Sequence, residues 1–568
     1  MKSLLRKMIY IALILICALA LSAGAFDMGS SEPEEIPTQG EMGDGFTWRL
    51  EENILYIEGV GDMPEGFFPW HNNYGSYTSW TTLQVSINEL RVAPGITSIS
   101  RSAFSNLSHL FRVHLPDGLI SIGEFAFSSC HNLPAITLPS SVSYIGEGAF
   151  KECNRLQQID IPEGVTQIHP HTFSGCNSLY RVSLSENTTA IEEEAFEECR
   201  LLAQINLPSV LTIIENRAFV NCRRLTDITL PDTLSSLGDE AFRNCVSLSR
   251  ITLPSKLSSV GYATFAGCSA LTEVNLPQQL RSIGAHAFEE CGNLQSITLP
   301  NTLTDIGDNA FFATGLTEII LPSGITNVAS RLFQNCQNLA SVTLSPYTQN
   351  IGTYAFQDCA ALTSIEIPAS VLGIGASAFS YCYGLKQVRI SDLSAWVNIR
   401  FWAEESNPLH NGAALYLQGE KLTEILIPEG NPFIREYAFY GCADLTSVVI
   451  PEGVTDILPN AFALCEDLTS ITFPLSLNTI HSQAFNRCNN LTQIHYSGSP
   501  EQMQQIRAYE GNEVLLSTIW QMPTEDTILY LLKTALPFLL AYLIFNGAAV
   551  VVCFILERRR RNTPYLRF

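Results

Sequence analysis

The chain has 568 residues, of which 46% are apolar and 15% are charged, and this composition excludes a mainly disordered protein. Its 55 acidic residues outnumber its 32 basic residues, so the net charge is −23. Nucleic-acid binding requires clustered lysine and arginine, and we therefore expect no nucleic-acid partner. The length allows several globular domains or one long repeat array.

The first 25 residues have the three-part layout of a secretory signal peptide. Lys2, Arg6 and Lys7 precede an apolar run over residues 8–21, and Ala23-Gly24-Ala25 fits a cleavage site. The run is shorter than the roughly 20 residues that a membrane span requires, so an uncleaved anchor is the weaker interpretation. We predict a signal peptide over residues 1–25 and export of the rest of the chain.

A phenylalanine recurs sixteen times between residues 104 and 485. The intervals are 23 residues, except for 22 before Phe333 and 60 before Phe439. A Leu-x-x-Ile-x-Leu-Pro motif keeps the same spacing, as at residues 225–231 and 294–300, and an Ile-Gly pair often follows it. Self-similarity at a fixed period is typical of a solenoid. We predict repeats over residues 88–390 and 428–496.

One unit shows the physical basis of the repeat. Apolar and polar residues alternate over residues 294–299, which predicts a half-buried strand, and Pro300 ends it because proline has no N–H for the ladder. Ile306 and Phe311 are expected to point inward, the latter from a short helical or irregular segment. One unit buries about six apolar side chains, too few to offset the ordering of its own residues, so neighbouring units must stack.

The unit resembles the leucine-rich repeat. Its Leu-x-x-Ile-x-Leu-Pro, Ile-Gly and Ala-Phe-x-x-Cys motifs are similar to those of the BspA-type subfamily, over roughly residues 88–496. The resemblance implies a leucine-rich repeat solenoid with a β-strand and a short helical or irregular segment in each 23-residue unit. It also implies a surface protein that serves as an extracellular adhesion or interaction scaffold.

Two further segments strengthen the resemblance. Phe46-Thr47-Trp48 and Leu55-Tyr56-Ile57, with Pro69-Trp70, are similar to the strand-rich leader of this family. Residues 26–87 are therefore expected to form a linker and a small β-rich N-terminal cap. Residues 391–427, which interrupt the period, resemble an insertion of the same family.

Fourteen of the sixteen cysteines lie three residues after a repeat phenylalanine. Leu107 and Thr314 occupy this place in two units, so a small or apolar group is sufficient there. The regular position favours a ladder of buried free thiols. Thiols of neighbouring units are expected to be about 5 Å apart, which leaves disulfide bonds geometrically allowed. No Cys-x-x-Cys pair supports a zinc or redox site.

Stacking lines up the strand positions that face away from the core, which makes them the best interaction candidates. The resulting surface is rich in threonine, serine and asparagine, which suits protein or glycan partners and equally suits solubility and strand propensity. We name as the candidate binding face eight residues: Arg181, Asn206, Asp227, Arg250, Glu273, Asn275, Glu318 and Glu366.

The predicted insertion contributes four aromatic residues from outside the repeat pattern: Trp396, Phe401, Trp402 and Tyr416. Exposed aromatic side chains mark recognition sites. The same residues also suit the packing of the insertion onto the solenoid, and this second interpretation is the favoured one.

No pattern in the sequence points to catalysis, a metal or a cofactor. His169-Pro170-His171 offers no third ligand at fixed spacing, and the acidic run at residues 192–198 fits a solvated edge better than a calcium site. Motifs of hydrolases, nucleotide-binding proteins and metalloproteases are absent. Glu273 and Glu318 are expected roughly 10 Å apart, near the upper range for an inverting glycosidase pair. Asp227 extends the same row, which makes chance placement the better explanation.

The C-terminal end predicts a membrane anchor. Residues 534–556 carry no charge and, at ~1.5 Å per residue, are long enough to cross a hydrocarbon core of roughly 30 Å. The four arginines at 558–561 are expected to stay in the cytoplasm. We predict a C-terminal cap and juxtamembrane segment at residues 497–526, one transmembrane helix within residues 527–557, and a basic cytoplasmic tail at residues 558–568.

Together these features predict a single-pass type I protein of the cell membrane whose extracellular solenoid binds proteins or glycans. The sequence does not name the partner. Two other classes stay open: a structural surface spacer without a dedicated ligand, and a glycan-active solenoid enzyme.

Overall fold

The computed structural model describes residues 38–66, 68 and 86–518. The predicted signal peptide, transmembrane helix and cytoplasmic tail lie outside these residues. Helices in the described part of the chain are short, and none is long and apolar enough to cross a membrane. The chain divides into two compact units, which meet in sequence between Leu156 and Gln157.

Each unit is a solenoid in which most turns of the chain supply one or two short parallel strands. We call the series formed by the opening strand of each turn the first ladder, and the series formed by the later strand the second ladder. In the first-ladder strand Arg250–Thr252, Ile251 is buried and its two neighbours are exposed, as a period of two requires. This strand pairs with Glu273–Asn275 without a register shift, so equivalent side chains of successive turns lie side by side.

The first unit begins with antiparallel strands, where the sequence predicts a β-rich cap. Its larger sheet contains the antiparallel strands Gln39–Gly43, Phe46–Glu51 and Ile54–Glu58, followed by the parallel first-ladder strands Glu89–Val92 and Arg112–His114. Its second ladder contains Gly61–Asp62, Ile96–Ile99, Ser121–Ile122 and Tyr144–Ile145.

The second unit continues the same arrangement in several short sheets. Its first-ladder sheets contain Gln158–Asp160, Arg181–Ser183 and Gln204–Asn206; Arg250–Thr252 and Glu273–Asn275; Glu318–Ile320 and Ser341–Thr343; Ser364–Ile367, Gln387–Ile390, Ala414–Leu417 and Glu420–Lys421; and Glu424–Leu426, Ser447–Val449, Ser470–Phe473 and Gln493–Tyr496. Its second-ladder sheets contain Gln167–Ile168, Ala190–Ile191, Ile213–Ile214 and Ser236–Leu237; Ser259–Val260, Ser282–Ile283 and Asp305–Ile306; Asn327–Val328, Asn350–Ile351, Gly373–Ile374 and Arg400–Phe401; and Phe433–Ile434, Asp456–Ile457, Thr479–Ile480 and Arg507–Ala508.

The repeat phenylalanine lies between two left-handed residues in an irregular segment made of turns. Around Phe219, Arg217 and Asn221 have φ angles of 58° and 61°. The N–H groups of these three residues donate to carbonyls of the next turn at 2.8, 2.8 and 2.9 Å, which adds a third set of inter-turn hydrogen bonds. Phe219 is fully buried, and its ring stacks on Phe196 and Phe242 at centroid distances of 5.4 and 5.3 Å.

Residues 391–427, predicted as an insertion, contain one more turn of the solenoid. Ala414 pairs in register with the first-ladder residue 27 positions earlier, at 387. The N–H of Phe379 donates to the carbonyl of Glu405 at 3.1 Å, as other repeat phenylalanines donate to the residue just before the next phenylalanine. Ser406, fully buried, therefore occupies the phenylalanine position of a turn four residues longer than the period of 23.

The few helices of the described residues are concentrated in this longer turn and at the C-terminal end of the second unit. They are the α-helix Leu393–Val397, the 3₁₀ helices Glu404–Ser406 and Pro408–Asn411, and the α-helices Pro500–Met503 and Glu513–Thr518.

Candidate functional site

Four residues of the candidate binding face form one polar network on the first ladder of the second unit. The Nε of Arg250 donates to Oδ1 of Asp227 one turn earlier at 2.9 Å. The register places Arg250 beside Glu273 of the following turn. Asn275 donates to Oε1 of Glu273 at 2.9 Å. The Asp227 carboxylate raises the pKa of Arg250, so its guanidinium remains charged on a fully solvated surface.

The other four predicted residues lie on first-ladder strands but outside this network. Arg181 donates from Nη2 to Oδ1 of Asp160 at 2.8 Å, and Oδ1 of Asn206 accepts the N–H of Leu184 at 3.3 Å. Exposed ion pairs of this kind contribute little to stability, about 0–1 kcal/mol. Two exposed carboxylates complete the candidate binding face: Glu318 and Glu366.

Sequence reasoning missed three apolar residues on the same face. Ile320 and Leu426 are 68% and 66% exposed, and Val449 lies beside Leu426 in the next strand. All three occupy the outward strand place where most turns carry threonine, serine or asparagine. An aliphatic residue at this otherwise polar place of the repeat was the sequence signal that could have identified them.

The four aromatic residues predicted in the insertion differ in their exposure. Trp396 is 1% exposed, its Nε1 donates to the carbonyl of Ala438 at 2.9 Å, and its ring lies 5.4 Å from that of buried Phe401. These two residues fasten the turn to the solenoid and are not available for recognition. Trp402, 60% exposed, lies under the guanidinium of Arg400 at 3.9 Å. Tyr416 is half-buried on a first-ladder strand.

The histidine pair and the acidic run are paired with each other. Nδ1 of His169 lies 3.0 Å from a carboxylate oxygen of Glu192, and Nδ1 of His171 lies 3.1 Å from one of Glu194. Arg217 of the next turn binds Glu194 at 2.8 Å and also Glu197. No cluster of three or more metal-ligating residues occurs within residues 38–66, 68 and 86–518. These contacts join neighbouring turns, so the charged run contributes to the stacking of the solenoid.

The fourteen repeat cysteines are buried free thiols, as the favoured interpretation predicts. The thiol of Cys245 donates to the carbonyl of Phe219 in the preceding turn at 3.3 Å, and Cys268 donates likewise to Phe242 at 3.2 Å. Burial raises the pKa of Cys268 to about 12, so the thiol stays protonated and unreactive at neutral pH. The S–H group thus serves as a hydrogen-bond donor, a role that the sequence pattern does not reveal.

Comparison with known proteins gives one family and several solved structures. The family model described as BspA type leucine rich repeat region (6 copies) matches residues 83–203, 189–316, 304–400 and 413–519, well over half of the chain. A leucine-rich repeat protein from Bacteroides ovatus is 24% identical and covers 82% of this chain and 98% of its own, with a TM-score of 0.41. A leucine rich cell surface protein from Faecalibacterium prausnitzii is 22% identical and covers 83% and 98%, with a TM-score of 0.27.

A leucine-rich repeat protein from Eubacterium ventriosum is 18% identical and covers 81% of this chain and 96% of its own, with a TM-score of 0.29. The search of curated proteins found no match. The family match includes the stacked phenylalanines, the buried thiols and both ladders, and it is interrupted only within the longer turn. The chain belongs to the BspA-type leucine-rich repeat family.

Proposed function

We propose that the chain is a cell-surface adhesion protein whose second unit binds protein or glycan partners through the first-ladder face, meaning the exposed side chains of its first-ladder strands. The main support for this proposal is the unshifted register of successive strands. It places the exposed aliphatic and polar side chains of neighbouring strands side by side. The candidate binding face supplies hydrogen-bonding groups, and Ile320 and Leu426 supply apolar area that a partner would cover.

Membrane anchoring is the second part of the proposal. The charge-free stretch at residues 534–556 and the arginines at 558–561 support a single-pass type I orientation, with the solenoid outside the cell. The signal-peptide layout of residues 1–25 supports export.

No catalytic residue, metal or cofactor is part of this proposal. Glu273 is held by Asn275, and Arg250 next to it is paired with Asp227, so the row is a set of neighbouring surface contacts. The experiment must distinguish a binding protein from the alternative, a surface spacer without a ligand.

A double substitution on the first-ladder face tests the proposal. Cells that display the full-length chain are measured for adhesion to surfaces coated with mucin, matrix proteins and glycans. Ile320→Ser with Leu426→Ser should lower adhesion at least fivefold, because it removes the exposed apolar area of the face.

A control removes exposed aliphatic groups elsewhere. Val210 and Leu372 are 41% and 63% exposed and lie outside the first ladder. Val210→Ser with Leu372→Ser should leave adhesion unchanged. Equal adhesion of all variants, at equal surface display, would support the spacer and contradict binding through this face.

A further inference from the structure

The sheet of the first unit carries a row of aromatic and basic side chains that sequence reasoning did not single out. Strand pairing places Tyr56, Arg91 and His114 side by side on three neighbouring strands. These side chains line an open cavity of about 530 Å³, together with Glu58 and Pro94. Small-molecule sites have volumes of roughly 300–1,000 Å³, so this cavity has room for one or two sugar rings.

Glu89 fixes the basic side of this cavity. Its side chain is 13% exposed, and its carboxylate accepts the Nε–H of Arg91 at 2.6 Å. Arg112 and His114 approach the same carboxylate at 3.4 and 3.3 Å. The hydrogen bond from Arg91 lowers the pKa of Glu89, so this carboxylate stays ionised. Arg91 uses its Nε–H for Glu89, which leaves the Nη groups of this cavity-lining arginine for an oxyanion.

The other side of the cavity offers an acceptor and an apolar wall. The side chain of Glu58 is 55% exposed, and its carboxylate accepts the Nε–H of Arg49 at 3.3 Å. An ionised carboxylate has further lone pairs that accept hydrogen bonds, so Glu58 can also bind hydroxyl groups. The guanidinium of Arg49 lies 3.7 Å from the ring centroid of Tyr56 and holds that ring in place. Val92 and Pro94 add apolar surface. The site therefore combines an anion-binding corner with a corner that accepts hydroxyl groups.

We propose that this cavity binds an acidic saccharide, with the sugar carboxylate on Arg91 and His114 and sugar hydroxyl groups donating to Glu58. A saccharide supplies both groups on adjacent atoms, and its C–H faces match Tyr56 and Pro94. A nucleic acid or polyacidic peptide has a dense row of anions that Glu58 and the net charge of −23 would repel. The site goes beyond the proposed function, since it lies in the first unit and the candidate binding face lies in the second.

Calorimetric titration of the full-length chain with galacturonate tests this assignment, and the methyl ester of galacturonic acid serves as a neutral ligand of similar shape. The acid should bind at least tenfold more tightly than the ester. Arg91→Gln should weaken binding of the acid at least tenfold, and His114→Gln at least threefold. Raising the salt concentration should weaken binding of the acid only.

Arg112→Gln is the matched control, because Arg112 contacts Glu89 but does not line the cavity. It should change binding of the acid less than twofold. If the substitutions acted only by disrupting the contacts around Glu89, then Arg91→Gln, His114→Gln and Arg112→Gln would weaken binding equally. The variant Ile320→Ser with Leu426→Ser should bind galacturonate like the unmodified chain, which separates this site from the proposed adhesion face. Equal binding of acid and ester, unchanged binding by Arg91→Gln, or no binding by the unmodified chain would overturn the assignment.

Discussion

Gly315 shows how a single residue adapts the solenoid to a shorter repeat. The interval before Phe333 is 22 residues, and the missing residue lies where Thr314 leads directly through Gly315 into the next strand. A Cβ on Gly315 would lie 2.2 Å from the carbonyl oxygen of Gly292 in the preceding turn. The shortened turn therefore brings two backbones so close that a side chain does not fit.

Gly315→Ala should lower the free energy of unfolding by about 1–3 kcal/mol, since the backbone of Gly292 has to move. The control is Gly292→Ala, because a Cβ on Gly292 meets no atom within 4 Å. This second change should stay within about 0.5 kcal/mol of the unmodified chain. Urea unfolding followed by circular dichroism measures both. Equal midpoints for the two variants would contradict the close approach.

The cysteine position shows what residue-scale sequence reasoning gained and missed. The period identified the buried thiols, because every one of them follows a repeat phenylalanine at the same distance. The hydrogen bond that most of these thiols donate to a carbonyl of the preceding turn depends on atomic positions that no spacing encodes. Thr314 donates within its own turn, from its hydroxyl to the carbonyl of Phe311 at 3.0 Å. Leu107 has no side-chain donor, so a donor is common at this place but not required.

At the scale of elements, the longer turn has no repeat phenylalanine, and polar contacts connect it to the following turn instead. Asn407 is fully buried, and its Nδ2 donates to the carbonyls of Tyr437 and Ala438 at 2.6 and 3.3 Å. Its Oδ1 accepts the N–H of Leu409 at 2.9 Å. One amide side chain thus connects the longer turn to the next phenylalanine segment.

Asn407→Ala should lower the free energy of unfolding by about 1–3 kcal/mol, because it leaves buried backbone groups without their partner. Asn398→Ala removes an exposed amide from the same turn and should cost less than about 0.5 kcal/mol. Hydrogen exchange at the N–H of Leu409, which loses its acceptor, should accelerate only in the first variant. Unchanged exchange there would contradict this role of Asn407.

The sequence predicted the regular elements well and the longer turn poorly, for a physical reason. Alternation of apolar residues identifies a strand in most turns, and Ile306 is buried as predicted. The predicted strand over residues 294–299 is wrong, because this segment forms no strand and Ile297 is only half-buried. In the longer turn the repeat phenylalanine is replaced by Ser406, so the periodic signal disappears although the strand pairing continues. The interval of 60 before Phe439 contains this hidden turn of 27 residues.

At the scale of the whole molecule, twelve of the buried thiols make stability sensitive to alkaline pH. Burial raises the pKa of Cys153, Cys268 and Cys382 to about 12, from an ordinary value of 9.0. The folded state therefore keeps protons that the unfolded chain loses. Their contribution to stability is fully present below pH 9 and is lost as the pH rises through 12, by about 1.4 kcal/mol per thiol and pH unit.

The urea concentration at half-unfolding should fall steeply between pH 9 and 11. Burial raises the pKa of Cys245, Cys268 and Cys291, and replacing them by serine keeps a hydroxyl donor for the neighbouring carbonyl. Three of the twelve thiols with a raised pKa are then removed, so the slope of unfolding free energy against pH should decrease by roughly a quarter. A slope that is unchanged by the three serines would show that other groups cause the alkaline effect.

The direction of the thiol hydrogen bonds also bears on how the chain escapes oxidation while it folds. The thiol of Cys245 donates to the turn of Phe219, which precedes it in sequence, and most of the other thiols make the equivalent contact. An oxidant reacts with thiolates, and a buried thiol forms few of them. If the chain folds from its N-terminus, the turn that accepts the hydrogen bond of such a thiol is complete before the cysteine itself is added.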